Sequence, residues 1–214
     1  MKRSRLAIAA AAAVLLAVLV WAVAFHAPPG PRSAKVFDAD RLADLEVGMW
    51  QAYYRKQNVA LFSGLVQALR EQFRYPWSKA VRAAYHLAKA AATFGRAHDH
   101  YESALPDLEK AYAIARDWTG ATFDPAAVAQ AELAWWVARR DPRQNNPRRV
   151  GALIGALYAK FYQVPVSRVV DAGLLRAQAA DVRDRSASKV DWGEVQQLLR
   201  VSYRSLHEGL ARAP

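Results

Sequence analysis

Two glutamates sit where glutamates are seldom placed. Glu132 falls in the stretch Asp124 to Arg140, DPAAVAQAELAWWVARR, with Trp135 and Trp136 three and four residues on and Arg139 seven on. On a helix those spacings gather the side chains along one side, which Val128 and Ala131 mark as apolar. Glu46 has a matching setting, with Leu42 four before it, Met49 and Trp50 three and four after, and Tyr53 at seven. A carboxylate on a buried face is tolerated only when it is paired and hydrogen-bonded. One reading satisfies each acid with an arginine or tyrosine of an adjoining helix, and Arg176 is placed to reach either. The other turns both carboxylates into a pocket where they grip a cationic ligand, a metal or a catalytic water. Under both readings the ligand site or buried polar cluster is Glu46, Trp50, Tyr53, Glu132, Trp136, Arg139 and Arg176.

The specific catalytic signatures are missing. A carboxylate-bridged di-metal bundle needs Glu-x-x-His on two helices, and that pattern does not occur in the sequence. In His98-Asp99-His100-Tyr101-Glu102 the two histidines are two residues apart and diverge on a helix, so only His98 and Glu102 are spaced to share an ion. His86 reads as a core or interhelical histidine and His207 as a surface one. There is no Gly-x-Ser-x-Gly, no phosphate-cradling glycine loop and no His-Glu-x-x-His. The absence of cysteine removes disulfides, thiolate metal sites and cysteine nucleophiles. No metal, no cofactor and no catalytic residue is assigned.

Charge supplies a second lead. The formal net charge is +11, and its densest basic stretch is Arg139 to Arg149, RRDPRQNNPRR. Lying between two apolar helices, it reads as an anion-binding loop of Arg139, Arg140, Arg143, Arg148 and Arg149, with guanidinium groups suited to phosphate or carboxylate. Anionic lipid headgroups or a protein partner fit that loop, and nucleic acid is not expected.

These residues need a scaffold, and the chain reads as all-α. Hydrophobic residues make up 53% of the 214, helix formers dominate, and no alternating run of strand length stands out. Residues 1–25 begin with MKRSR and continue as an apolar run from Leu6 to Phe25, long enough for a transmembrane signal anchor. Cleavage after Ala22-Val23-Ala24 is the alternative. Residues 26–36, which include HAPPGPRSAK, form a Pro-rich linker read as a spacer, and residues 37–214 form the helical domain.

Within that domain Asp38 caps a long helix to about Gln72, and further helices run from about Trp77 to Ala104, Pro106 to Trp118, Asp124 to Arg140, Pro147 to Phe161, Pro165 to Arg185 and Asp191 to Ala211. Prolines at helix starts act as punctuation. The expectation is an N-terminal transmembrane helix followed by a compact bundle of about six or seven helices. Gly151 and Gly155, four apart, permit a close helix contact.

The sequence therefore predicts a single-pass protein of the inner (cytoplasmic) membrane, held by its N-terminal helix with its main domain on the periplasmic or extracellular side. Its expected role is a membrane-anchored binding or accessory domain for an envelope protein or anionic partner. The competing expectation is a helical-bundle enzyme or ligand-binding protein with a pocket between the Glu46 and Glu132 helices.

Overall fold

The structure, a computed structural model, describes residues 2–186 and 189–211, with side chains described from residue 12. Its described residues form nine α-helices and two short 3₁₀ turns, without a strand. In chain order the helices are α1 (Lys2–Phe25), α2 (Ala39–Tyr54), α3 (Asn58–Phe73), α4 (Trp77–Arg96), α5 (Leu105–Thr119), α6 (Pro125–Arg140), α7 (Pro147–Tyr162), α8 (Val170–Arg185) and α9 (Trp192–Ala211).

The starts of these helices follow from local chemistry. Asp38 accepts a hydrogen bond from the Arg41 N–H at 2.9 Å, Asp124 accepts from Ala126 and Ala127, and Asn146 accepts from the Arg149 N–H at 2.9 Å. Each satisfies donors that a first turn leaves orphaned. Pro125 and Pro147 occupy the first helical position, where the missing N–H costs nothing. Gly120 ends α5 in the left-handed region at φ 68°.

The expected membrane span requires correction. Among the described residues no helix is long and apolar enough to cross a membrane. The transmembrane helix, the signal anchor and the single-pass inner-membrane placement with a periplasmic domain are therefore not supported. The C-terminal half of α1 instead leans on the bundle, where Leu19, Val20, Val23 and Ala24 meet Trp77 at the start of α4. Residues 26–36 are non-helical, and they lie on the bundle instead of standing clear of it. Arg74 donates to the Pro29 carbonyl at 3.0 Å, and the Arg32 guanidinium sits 4.1 Å from the Trp118 ring centroid.

The long helix expected from Asp38 to Gln72 is two helices. Lys56 takes φ 57°, and the chain reverses through hydrogen bonds from the Lys56 N–H to the Tyr53 carbonyl and from the Gln57 N–H to the Ala52 carbonyl. No proline or glycine marks that break. The helix expected to run to Ala104 ends at Arg96, and a turn with His100 at φ 51° leads into the 3₁₀ segment Tyr101–Ala104. The bundle that follows α1 thus has eight helices.

Those eight helices close a ring. Each packs on the next, from α2 on α3 through α8 on α9, and α9 returns to α2. The tightest seam is α7 against α8, where three glycines remove the side chains that would hold the helices apart. A Cβ on Gly173 would lie 2.5 Å from the Gly151 carbonyl oxygen and 2.6 Å from the Gly155 nitrogen. Inside the ring the largest apolar cluster collects Leu69 and Phe73 of α3, Leu157 and Phe161 of α7, Leu206 of α9, and Phe37 and Tyr75 from the segments before α2 and α4.

Gly173→Ala is expected to lower stability by about 1–3 kcal/mol in urea unfolding, because the methyl group meets backbone that cannot yield. A gain of up to about 1 kcal/mol, the ordinary helix benefit of alanine over glycine, would show that the seam is looser than described.

Candidate functional site

Glu46 projects from the middle of α2 into the seam with α8 and α9, and only 3% of it is exposed. Its Oε1 accepts from Arg176 Nε at 2.9 Å and lies 2.6 Å from Nη2, and its Oε2 accepts from the Tyr203 hydroxyl at 2.7 Å. One carboxylate thus ties α2 to both α8 and α9. Burial works to pull the Arg176 guanidinium down, but the adjoining Glu46 charge holds it well above its ordinary pKa. Tyr203 is pushed well up by burial and then by Glu46, so its hydroxyl stays a donor.

Glu132 is satisfied differently. Its Oε1 accepts from the Trp136 indole N–H at 2.8 Å, the neighbour one turn along α6, and its Oε2 accepts from the Tyr112 hydroxyl of α5 at 2.8 Å. No basic group among the described residues forms an ion pair with it. Burial, then Glu132 itself, raises Tyr112 well above the ordinary tyrosine value.

Between these two networks lies a cavity of about 190 Å³, to which each helix from α3 to α9 contributes. Its polar wall is Gln72, Tyr112, Glu132, Tyr158, Tyr162, Arg176 and Tyr203, and its apolar wall includes Leu69, Phe73, Ala111, Leu157 and Phe161. Glu132 therefore faces the cavity directly. Glu46 stands behind the wall, acting on it through Arg176 and Tyr203. The tyrosines here are neutral hydrogen-bonding groups, since burial is the leading cause that raises Tyr75, Tyr158 and Tyr162 as well. Gln72 donates to the Tyr162 hydroxyl at 2.6 Å. The Tyr75 hydroxyl is sealed from solvent on the cavity side of the core with no hydrogen-bond partner among the described residues.

The remaining members of the expected cluster scatter. Trp50 packs in a separate apolar patch with Val47, Val195 and Leu199. Tyr53 is 63% exposed, its ring 5.1 Å from that of Tyr54 and away from the cavity. Arg139 turns away from Glu132 to pair with Asp184 at 3.1 Å. Trp135 faces α8, its ring 5.1 Å from the Arg176 guanidinium. The tyrosines at 112, 158, 162 and 203 were not singled out from the sequence, although Tyr158 and Tyr162, four apart with Phe161 between, carry the spacing of a shared helix face.

The arginine-rich stretch is largely engaged within the chain. Arg140 donates to the Phe94 and Ala97 carbonyls at 2.9 and 2.7 Å, ending α4, with its guanidinium 4.2 Å from the Phe94 ring centroid. Arg143 pairs with Asp141 at 3.2 Å. Arg148 and Arg149 are exposed in the first turn of α7.

A further polar group joins α4 to α5. Asp107, 7% exposed, accepts from Lys89 at 3.0 Å and lies 2.8 Å from His86 Nδ1. Burial pushes Asp107 upward, yet His86 and Lys89 outweigh it and hold the carboxyl below its usual value. No group of three or more histidine, aspartate or glutamate side chains among the described residues is placed to hold a metal ion. No protein-family model matches the chain, and no curated protein or solved structure shows significant similarity to it.

Glu46→Gln should cost about 3–5 kcal/mol in urea unfolding, since it strands a buried guanidinium. Joined to Arg176→Met it should cost less than the two single changes added together, and simple additivity would show that the groups do not depend on each other. Asp107 has a folded pKa below its unfolded one, so its contribution is complete above the ordinary carboxylate value of 3.8 and fades as pH falls further. The gap between wild type and Asp107→Asn, followed by unfolding at pH 7 and pH 3, should therefore narrow at the lower pH. A constant gap would mean that the carboxyl titrates normally.

Proposed function

We propose that this chain is a ligand-binding helical bundle that holds a small molecule at the centre of its ring. The observation that carries the reading is the cavity itself. Its volume, about 190 Å³, is roughly a dozen times the 10–15 Å³ that a single water needs, and its wall keeps polar groups with unspent hydrogen-bonding capacity. A space left only by imperfect packing would be lined by apolar side chains. This one is lined by five tyrosines, a glutamine, a glutamate and an arginine inside a core of aromatic rings. Ligand pockets combine the same ingredients, an apolar and aromatic surface with a few fixed polar groups.

The alternative role, docking through the arginine-rich stretch, has less behind it. Arg139, Arg140 and Arg143 already hold Asp184, the end of α4 and Asp141, so recruiting them to an anionic partner would undo contacts within the fold.

A thermal-shift screen of small metabolites against the full chain tests the reading. A ligand at one hundred times its Kd adds about 2.7 kcal/mol, or roughly 5–10 °C in Tm for a protein of this size. The shift should saturate and should vanish in Ala111→Met, whose longer side chain fills the cavity. Shifts that survive this change would place the ligand elsewhere.

A further inference from the structure

We infer that the cavity takes a small organic cation, with its ammonium group set against Glu132. The inference rests on the ligand-binding reading above and adds the chemical class of the ligand. It follows from the charges in the wall. Arg176 brings a positive charge to the cavity, but Glu46 cancels it from behind through contacts at 2.6 and 2.9 Å. Glu132 brings a negative charge that nothing cancels, because its two partners, Trp136 and Tyr112, are neutral donors. The wall is thus one positive charge short of balance, at a carboxylate that faces the empty space.

The capacity of that carboxylate agrees with its charge. Each of its oxygens has accepted one hydrogen bond and retains room for another, which an ammonium group supplies and a carboxylate or phosphate does not. The surrounding rings act in the same direction. Tyr112, Tyr158, Phe161 and Tyr162 line the cavity, and the faces of such rings attract a desolvated cation. An anion would meet Glu132 as a like charge, and the arginine it needs is already engaged. A neutral guest would leave the charge of this partly buried carboxylate unmatched.

The volume sets a size. An engineered core cavity of roughly 150 Å³ admits benzene, so 190 Å³ suits a guest of about six non-hydrogen atoms, the scale of a short alkylamine.

Three probes of nearly equal shape separate the possibilities: n-butylammonium, 1-butanol and butyrate, each titrated calorimetrically into the full-length protein at neutral pH. Butylammonium should bind at least tenfold more tightly than the other two. Glu132→Gln, which keeps the size of the side chain and one acceptor, should remove most of that advantage. Butyrate or butanol binding best, with loss of binding in Ala111→Met, would overturn the cation assignment while leaving the cavity a ligand site. Butylammonium binding that is indifferent to Glu132→Gln, or the failure of all three probes, would also overturn the assignment, and the ligand-binding reading would then be judged on the wider thermal-shift screen. If Glu132→Gln does not fold, the ranking of the probes on the unaltered protein decides.

Discussion

A buried carboxylate must be paired and hydrogen-bonded, and the centre of this protein is arranged around how far two glutamates, the buried Glu46 and the partly buried Glu132, meet that requirement. Glu46 meets it fully, with two nitrogens of Arg176 and the hydroxyl of Tyr203. The cost of desolvating the pair is offset only because the geometry is good and both oxygens are bonded. The consequence reaches beyond the pair. By fixing Arg176 and Tyr203, Glu46 fixes two residues of the cavity wall, and it joins α2 to α8 and α9 where the ring of helices closes. Glu132 is held by neutral donors alone, which satisfies its hydrogen bonds but leaves its charge unanswered. The difference between the two acids makes one of them structural and leaves the other available.

The ring explains why a cavity exists at all. Eight helices that contact mainly their neighbours in sequence enclose more space than a two-layer bundle, and the middle must be filled by side chains. Tyrosine and phenylalanine do most of the filling, as in the stack of Phe73 on Tyr75 at 4.9 Å and the contacts of Phe161 with Tyr112, Phe123 and Tyr162. At the α7–α8 seam the glycines do the opposite and bring two backbones together. A ring drawn tight on one side and filled with large rigid rings on the other leaves residual space between them, and tyrosine hydroxyls give that space its polar lining.

Much of this was legible in the sequence, and the parts that were not have physical causes. The all-helical class followed from composition and periodicity, and the starts of α6 and α7 followed from Asp124-Pro125 and from Pro147, because the first turn of a helix is set by local chemistry. The break between α2 and α3 was missed because the left-handed position is taken by Lys56, a residue type that does not signal it. The paired glutamates were visible as acids out of place, and Arg176 was named as a possible partner. That it serves Glu46 and not Glu132 depends on which helices are neighbours, which periodicity does not encode. Tyr112 and Tyr203 carried no mark in the sequence, since an aromatic ring with a hydroxyl looks the same there whether its oxygen meets water or a carboxylate. The apolar run at the N-terminus invited a membrane reading that the described part of α1 does not support.

The central claim is that Glu46 holds Arg176 in a fixed, fully bonded state and so cancels its charge at the cavity. Nitrogen-15 NMR of the arginine side chains in the full-length protein, with Arg176 assigned through Arg176→Lys, observes this most directly. The account predicts an Arg176 Nε–H that is strongly protected from exchange with water and loses that protection in Glu46→Gln. An Arg176 signal that exchanges as fast as those of the exposed Arg148 and Arg149 would contradict it.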